Sequence, residues 1–185
     1  MKTNSKLTIV AIMACTFAIS SCKKDEKELP KVDENELITT IKLQFTNTTD
    51  AADVKTFTWK DIDGQGGNPP VIDEIKLAPN KTYKMEVAKI LNETSTPAED
   101  ITEEVAEEDY EHLLVYKPFP IGALTVTITD KDKNNLAVGL KADVRTGSAA
   151  TGTLQVILRH QVGVKDGTEA PGSTDFDITY IVKIQ

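Results

Sequence analysis

The chain has 185 residues, 39% of them hydrophobic, and its 29 acidic against 21 basic residues give a net charge of −8. This length is sufficient for one domain with its own apolar core. The acidic balance argues against nucleic acid or an anionic membrane surface as a partner, and permits cations or basic proteins.

The N-terminal residues are typical of an export signal. Lys2 and Lys6 precede an apolar stretch at 7–18, which is too short to span a bilayer. Ile19-Ser20-Ser21 then leads to Cys22, a pattern that resembles the bacterial lipobox. The resemblance implies removal of residues 1–21 and a lipid on the thiol of Cys22. The alternative is an ordinary secretory signal in which this cysteine is incidental.

Cleavage before Cys22 changes what can stabilise the mature chain. The other cysteine, Cys15, leaves with the leader, so neither a disulfide nor a cysteine metal site is expected. Loss of Lys2 and Lys6 leaves 19 basic against 29 acidic residues, a net charge of −10. Membrane attachment then depends on the lipid, and multiple acyl chains give lasting anchorage.

Residues 22–35 are too polar to pack and are predicted to form a flexible tether. Lysines followed by acids directly behind Cys22 also resemble the signal that exports lipoproteins of Bacteroidota to the cell surface. We therefore expect an outer-membrane location, either on the cell surface or on the periplasmic face.

Period-two alternation dominates residues 36–185, with Leu37, Thr39, Ile41, Leu43 and Phe45 in one such row. Turn sequences separate the alternating segments. The pattern predicts an all-β fold, a single immunoglobulin-like antiparallel β-sandwich, with a closed barrel as the alternative. The predicted strands cover 37–45, 56–60, 71–77, 82–91, 111–116, 124–129, 137–144, 152–160 and 176–184.

One short acidic helix is expected within residues 95–112. Thr96 is placed as its cap and Pro97 at its first position, and Ile101 and Val105 share one face. Its acids and the histidine that follows form a candidate binding face for a divalent cation or a basic envelope protein. A solvated connector is the alternative. The face comprises Glu103, Glu104, Glu107, Glu108, Glu111 and His112.

A second candidate is a glycine-rich loop that resembles extracellular calcium loops. Asp61, Asp63 and Gln65 stand at alternate positions, and the carbonyl of Gly67 follows at the seventh. The twelfth position lacks the glutamate of an EF-hand, so Asp73 or Glu74 would have to substitute in a loop that closes differently. The alternative is a long turn whose aspartates accept backbone hydrogen bonds.

Catalytic motifs are lacking in the sequence, and we expect no enzyme. The chain has two histidines, and the second, His160, ends a predicted strand where it pairs with an acid or faces water. No nucleophile elbow or phosphate-binding loop is present. The expected function is therefore binding, as an accessory to metal or nutrient acquisition, with a structural or adhesive envelope protein as the rival.

Several segments together resemble small outer-membrane lipoproteins of Flavobacteriia and related Bacteroidota. They are Gly67-Asn68-Pro69-Pro70-Val71-Ile72-Asp73, Pro97-Ala98-Glu99-Asp100-Ile101-Thr102-Glu103-Glu104, and residues 152–161. The resemblance covers nearly the whole chain and implies a location rather than an activity.

Overall fold

The computed structural model describes residues 36–64 and 66–185. The predicted signal peptide, Cys22 and the tether lie outside the described residues, as does Gln65 of the predicted calcium loop. The described residues belong to one compact unit. Within this part of the chain, no helix has the length and apolar character needed to cross a membrane.

The described residues form eleven strands and one helix. In chain order they are β1 (Thr40–Asn47), β2 (Asp50–Lys60), β3 (Val71–Ile72), β4 (Ile75–Leu77), β5 (Thr82–Asn92), β6 (Glu99–Asp100), α1 (Ile101–Glu107), β7 (His112–Phe119), β8 (Leu124–Ile128), β9 (Lys141–Thr146), β10 (Ala150–His160) and β11 (Ser173–Ile184).

The strands form two curled sheets in a sandwich-like fold, which confirms the predicted all-β sandwich with one short helix. The larger sheet has the order β3-β2-β1-β5-β9-β8, with β6 beside the end of β5. The smaller has the order β4-β11-β10-β7. All pairs are antiparallel except β4 with β11, which run parallel, with Ile75 opposite Val182. That pair departs from the purely antiparallel prediction.

The core lies between the facing sides of the two sheets. Ile41, Leu43 and Phe45 of β1 are fully buried, as the alternation predicts, and Tyr180 and Val182 of β11 meet them from the smaller sheet. Each such side chain contributes about 1.5–3 kcal/mol by leaving water. The sandwich is thus supported by apolar burial, without a disulfide among the described residues.

Helix α1 begins later than the sequence predicts. Glu99 and Asp100 are extended and pair with Asn92 and Leu91 at the end of β5, so the helix cannot start before Ile101. The Asp100 carboxylate accepts a hydrogen bond from the Thr102 amide and caps the helix. The predicted roles of Thr96 as cap and Pro97 as first residue are therefore wrong.

Candidate metal centre

The two histidines meet at one end of the smaller sheet. His112 opens β7, His160 closes β10, and the antiparallel register places them directly opposite each other. Directly opposed residues project on the same face of a sheet. Their rings stack with centroids 4.6 Å apart and an interplanar angle of 5°.

A β-bulge brings a carboxylate to the same place. Leu158 pairs with Phe176 and Arg159 with Thr174, so Asp175 is the extra residue between them. Bulges redirect side chains and interrupt regular pairing. One potential ligand atom from each of His112, His160 and Asp175 forms a group in which all atoms lie within 4.8 Å of one another.

The turn before the bulge requires a glycine. Gly172 has φ +80°, and a Cβ there would overlap the carbonyl oxygen of His160 and lie 2.8 Å from Gln161 Cα. The absence of a side chain allows β11 to start directly beside the end of β10. The backbone here sets the positions of both His160 and Asp175.

Two glutamates after α1 complete this end of the sandwich. The backbone amide of Gln161 donates a hydrogen bond to the backbone carbonyl oxygen of Glu111 at 2.6 Å, which holds Glu111 beside the end of β10. Glu111 is 9% exposed, and its Oε2 atom has no hydrogen-bond partner among the described residues. Glu108, Glu111 and His160 form a second group with potential ligand atoms within 4.8 Å of one another.

We call this set of side chains the histidine–carboxylate cluster. Glu36 belongs to it because its Oε1 atom lies 4.0 Å from His112 Nε2. The cluster comprises Glu36, Glu108, Glu111, His112, His160 and Asp175.

The geometry fixes the protonation of His112. Its Nδ1 atom lies 3.0 Å from the backbone carbonyl oxygen of Glu108, which can only accept, so Nδ1 carries the proton. Burial lowers the pKa of His112 to about 4, although the bond to Glu108 acts in the opposite direction. At neutral pH the ring is uncharged, and Nε2 presents a lone pair. This atom is buried and has no hydrogen-bond partner among the described residues.

The raised pKa of Glu36 indicates buried and strongly negative surroundings. Burial first, and then the charges of Glu104, Asp175 and Glu108, raise its pKa to about 7. A raised carboxyl pKa means that the ionised form is disfavoured in the fold. A divalent cation placed among these groups would reverse that penalty.

We predict that Glu36→Gln stabilises the metal-free protein increasingly as pH rises from 5 to 8. The pKa of Glu36 in the folded protein lies above its ordinary value, so ionisation of this carboxyl destabilises the fold as pH rises through about 7. Glutamine does not ionise, so the variant keeps this stability. At pH 8 its free energy of unfolding should exceed that of the wild type by about 2–3 kcal/mol. Urea unfolding of both proteins in chelator at pH 5 and pH 8 measures it.

Glu103→Gln is the matched control, because Glu103 is an exposed glutamate of α1. Its effect should stay within about 0.5 kcal/mol at both pH values. An equal gain from Glu36→Gln at pH 5 and pH 8 would contradict the burial argument.

A buried ion pair supports the segment that carries Glu108 and Glu111. Lys165 Nζ lies 2.9 Å from Asp132 Oδ2, and their side chains are 2% and 0% exposed. The same ammonium donates to the Asp109 carbonyl oxygen at 2.7 Å. Lys165 therefore connects the loop after β10 to the backbone beside the cluster.

The predicted acidic face divides into two parts in the structure. Its inward part contributes Glu108, Glu111 and His112 to the cluster, and His112 is fully buried. Its outward part, on the solvent side of α1, comprises Glu103, Glu104 and Glu107.

The carboxylates of the predicted calcium loop accept hydrogen bonds from the protein. Asp61 Oδ1 accepts a hydrogen bond from the backbone amide of Gly64 at 3.0 Å, and Asp63 Oδ2 accepts one from the backbone amide of Asn68 at 2.9 Å. Asp73 Oδ2 accepts from the Thr58 amide of β2 at 2.8 Å. A Cβ at Gly67 would lie 2.5 Å from Asp63 Cγ, so a side chain there would displace the Asp63 carboxylate. Calcium binding here stays a prediction, and the geometry matches the alternative of a turn capped by its aspartates.

The cluster offers nitrogen and oxygen ligands of the kind that zinc and other first-row metals accept. In a tetrahedral site with metal–ligand bonds of 2.0–2.1 Å, neighbouring ligand atoms lie about 3.4 Å apart. The potential ligand atoms of each group lie within 4.8 Å of one another, so small side-chain movements would allow either group to coordinate an ion. Comparison of the chain with protein-family models, with curated proteins and with solved structures finds no match.

Proposed function

We propose that this chain is a lipid-anchored outer-membrane protein that binds a divalent transition-metal ion in the histidine–carboxylate cluster. Cys22 carries the anchor, and the domain faces either the cell surface or the periplasm. The function is binding, in support of metal acquisition, and not catalysis. The observation that carries the proposal is the buried, neutral ring of His112, whose Nε2 atom has no hydrogen-bond partner among the described residues and lies 4.0 Å from Glu36 Oε1 of the cluster.

The hydrogen bond of His112 supports a ligand role. Metal-binding histidines characteristically donate their second ring N–H to a carbonyl or a carboxylate, which fixes the tautomer and the ring orientation. The bond from Nδ1 to the Glu108 carbonyl has this form. A neutral imidazole is also the form that binds a metal, so no proton has to leave His112 at pH 7.

The ligand types favour a transition metal over calcium. Calcium takes oxygen ligands, whereas imidazole nitrogens suit zinc, iron, nickel and copper. Two histidines and one carboxylate would leave coordination positions for water or a further carboxylate. Glu36 and Glu111 are close enough to His112 and His160 to serve.

The test is thermal unfolding of the mature chain, residues 22–185 with Cys22→Ser, after chelator treatment. Zinc, manganese, iron(II), nickel or calcium is then added at constant ionic strength. A metal at a hundredfold excess over its dissociation constant adds about 2.7 kcal/mol, which is about 5–10 °C for a domain of this size. We expect zinc or another transition metal to give this rise and calcium to give less. Absence of a rise with every transition metal would favour the structural or adhesive alternative.

A further inference from the structure

A groove of about 780 Å³ runs along the side of the sandwich where β3 of the larger sheet and β11 of the smaller sheet lie at or near the sheet edges. Trp59, Ile72 and Phe176 contribute apolar surface to it, and the glycine-rich loop forms part of one wall. Val71 and Ile72 of β3 are exposed beside it, at 72% and 39%. Apolar surface next to an open strand favours occupation by another chain.

One edge of β11 faces this groove, and along part of that edge no described strand pairs with it. Gln185 donates its amide to the Leu77 carbonyl oxygen of β4 at 2.9 Å. Backbone groups alternate between the two edges of a strand, so the odd-numbered residues of β11 direct theirs to the β4 side. The pairing with β10 is regular from Phe176 to Ile184, and the alternation therefore continues unbroken.

Strand β4 covers only the end of this edge. Its pairs with β11 are confined to Val182–Ile184. Asp177 and Thr179 thus present their amides and carbonyls to the groove, with no strand opposite them among the described residues. An extended peptide pairs with an edge of this kind through its main chain.

The charges of the groove define the partner. Among the described residues that line it, four are acidic and none is basic. The acids are Glu36, Asp61, Asp175 and Asp177. Opposite charges across an interface speed association and exclude wrong partners.

We infer that the groove binds an extended basic peptide segment of a partner protein, added as a strand along residues 177–179 of β11. Main-chain hydrogen bonds hold the segment, and its basic side chains meet the acids of the groove walls. The inference does not require a bound metal, but the groove shares Glu36 and Asp175 with the histidine–carboxylate cluster, so the experiment is carried out in chelator.

The probe is a fluorescein-labelled seven-residue peptide of alternating lysine and valine, and fluorescence anisotropy with the mature Cys22→Ser chain gives its dissociation constant. We expect saturable binding that weakens at least tenfold with Asp177→Lys. Glu103→Lys makes the same charge change on the exposed side of α1, outside the groove, and should weaken binding less than threefold.

Two further peptides test the strand pairing and the match of charge separately. A peptide N-methylated at alternate residues keeps its charge but loses the amides that pair with β11, and it should bind at least tenfold more weakly. Glutamate in place of lysine should abolish binding.

Equal weakening by Asp177→Lys and Glu103→Lys would show unspecific attraction to an acidic surface and overturn the inference. Unchanged binding of the N-methylated peptide would also overturn it. Binding that appears only with a chain beginning at Asp33 would assign the groove to the chain's own residues 22–32, and would overturn an external partner.

Discussion

Replacing His112 by glutamine is expected to abolish the zinc-dependent rise in melting temperature. The variant loses the buried Nε2 lone pair, and the glutamine amide can still donate toward the Glu108 carbonyl. We expect zinc affinity to fall at least a hundredfold, so that an ion which adds about 2.7 kcal/mol to the wild type adds little to the variant. Thermal unfolding with and without zinc, compared within each protein, separates this effect from any change in the stability of the metal-free fold.

Further variants decide which group of ligands holds the ion. Asp175→Asn should also remove the zinc effect, because Asp175 belongs to the same group as His112 and His160. Loss of the effect with Glu111→Gln but not with His112→Gln would assign the ion to the group of Glu108, Glu111 and His160, and would contradict the proposed site. Glu103→Gln is the control and should leave the rise unchanged. A full zinc-dependent rise in His112→Gln would contradict the proposed site.

Lys165→Met is expected to destabilise the domain by about 3–5 kcal/mol, because removal of one partner of a buried ion pair leaves the other charge uncompensated. Asp132 loses its cation at 2.9 Å, and the Asp109 carbonyl loses a donor. Urea unfolding at pH 7 measures the loss. Because Asp109 lies between Glu108 and Glu111, we also expect weaker zinc binding in the folded fraction.

The double variant Lys165→Met with Asp132→Asn tests whether the uncompensated charge is the cause. Asparagine can retain the bonds that Asp132 Oδ1 accepts from the amides of Asn134 and Leu136. We expect the double variant to recover at least half of the lost stability. No recovery would mean that the aliphatic packing of Lys165, and not the ion pair, supports the loop.

Local alternation located most of the strands that form the core, but the predicted strand 71–77 is divided between β3 of the larger sheet and β4 of the smaller one. Four members of the predicted row, Thr39, Ile41, Leu43 and Phe45, are buried, because the faces of a strand alternate with period two. The first member, Leu37, precedes β1 and is 55% exposed. Pairing with distant strands is not encoded in a local pattern, so the parallel contact of β4 with β11 was missed. Strand β9 begins at Lys141 and not at 137, since the amides of Val138 and Gly139 bond to Asp130 instead of extending the sheet.

The cluster could be predicted only in part for the same reason. His112 was a candidate because it follows a run of acids, whereas His160 lies far away in sequence and becomes its neighbour through the register of β7 with β10. Asp175 depends on a bulge, and no local pattern marks one there. Glu36 precedes the first strand, and the sequence placed it at the start of the domain without giving it a role.

Zinc-edge anomalous diffraction from crystals of the zinc-loaded mature chain tests the central claim most directly. The account predicts one strong peak about 2.1 Å from His112 Nε2, with His160 and a carboxylate of Asp175 or Glu111 completing the coordination. A peak confined to Asp61, Asp63 and Asp73, or to the outward glutamates of α1, would contradict the account, as would crystals of zinc-saturated protein with no peak at the cluster.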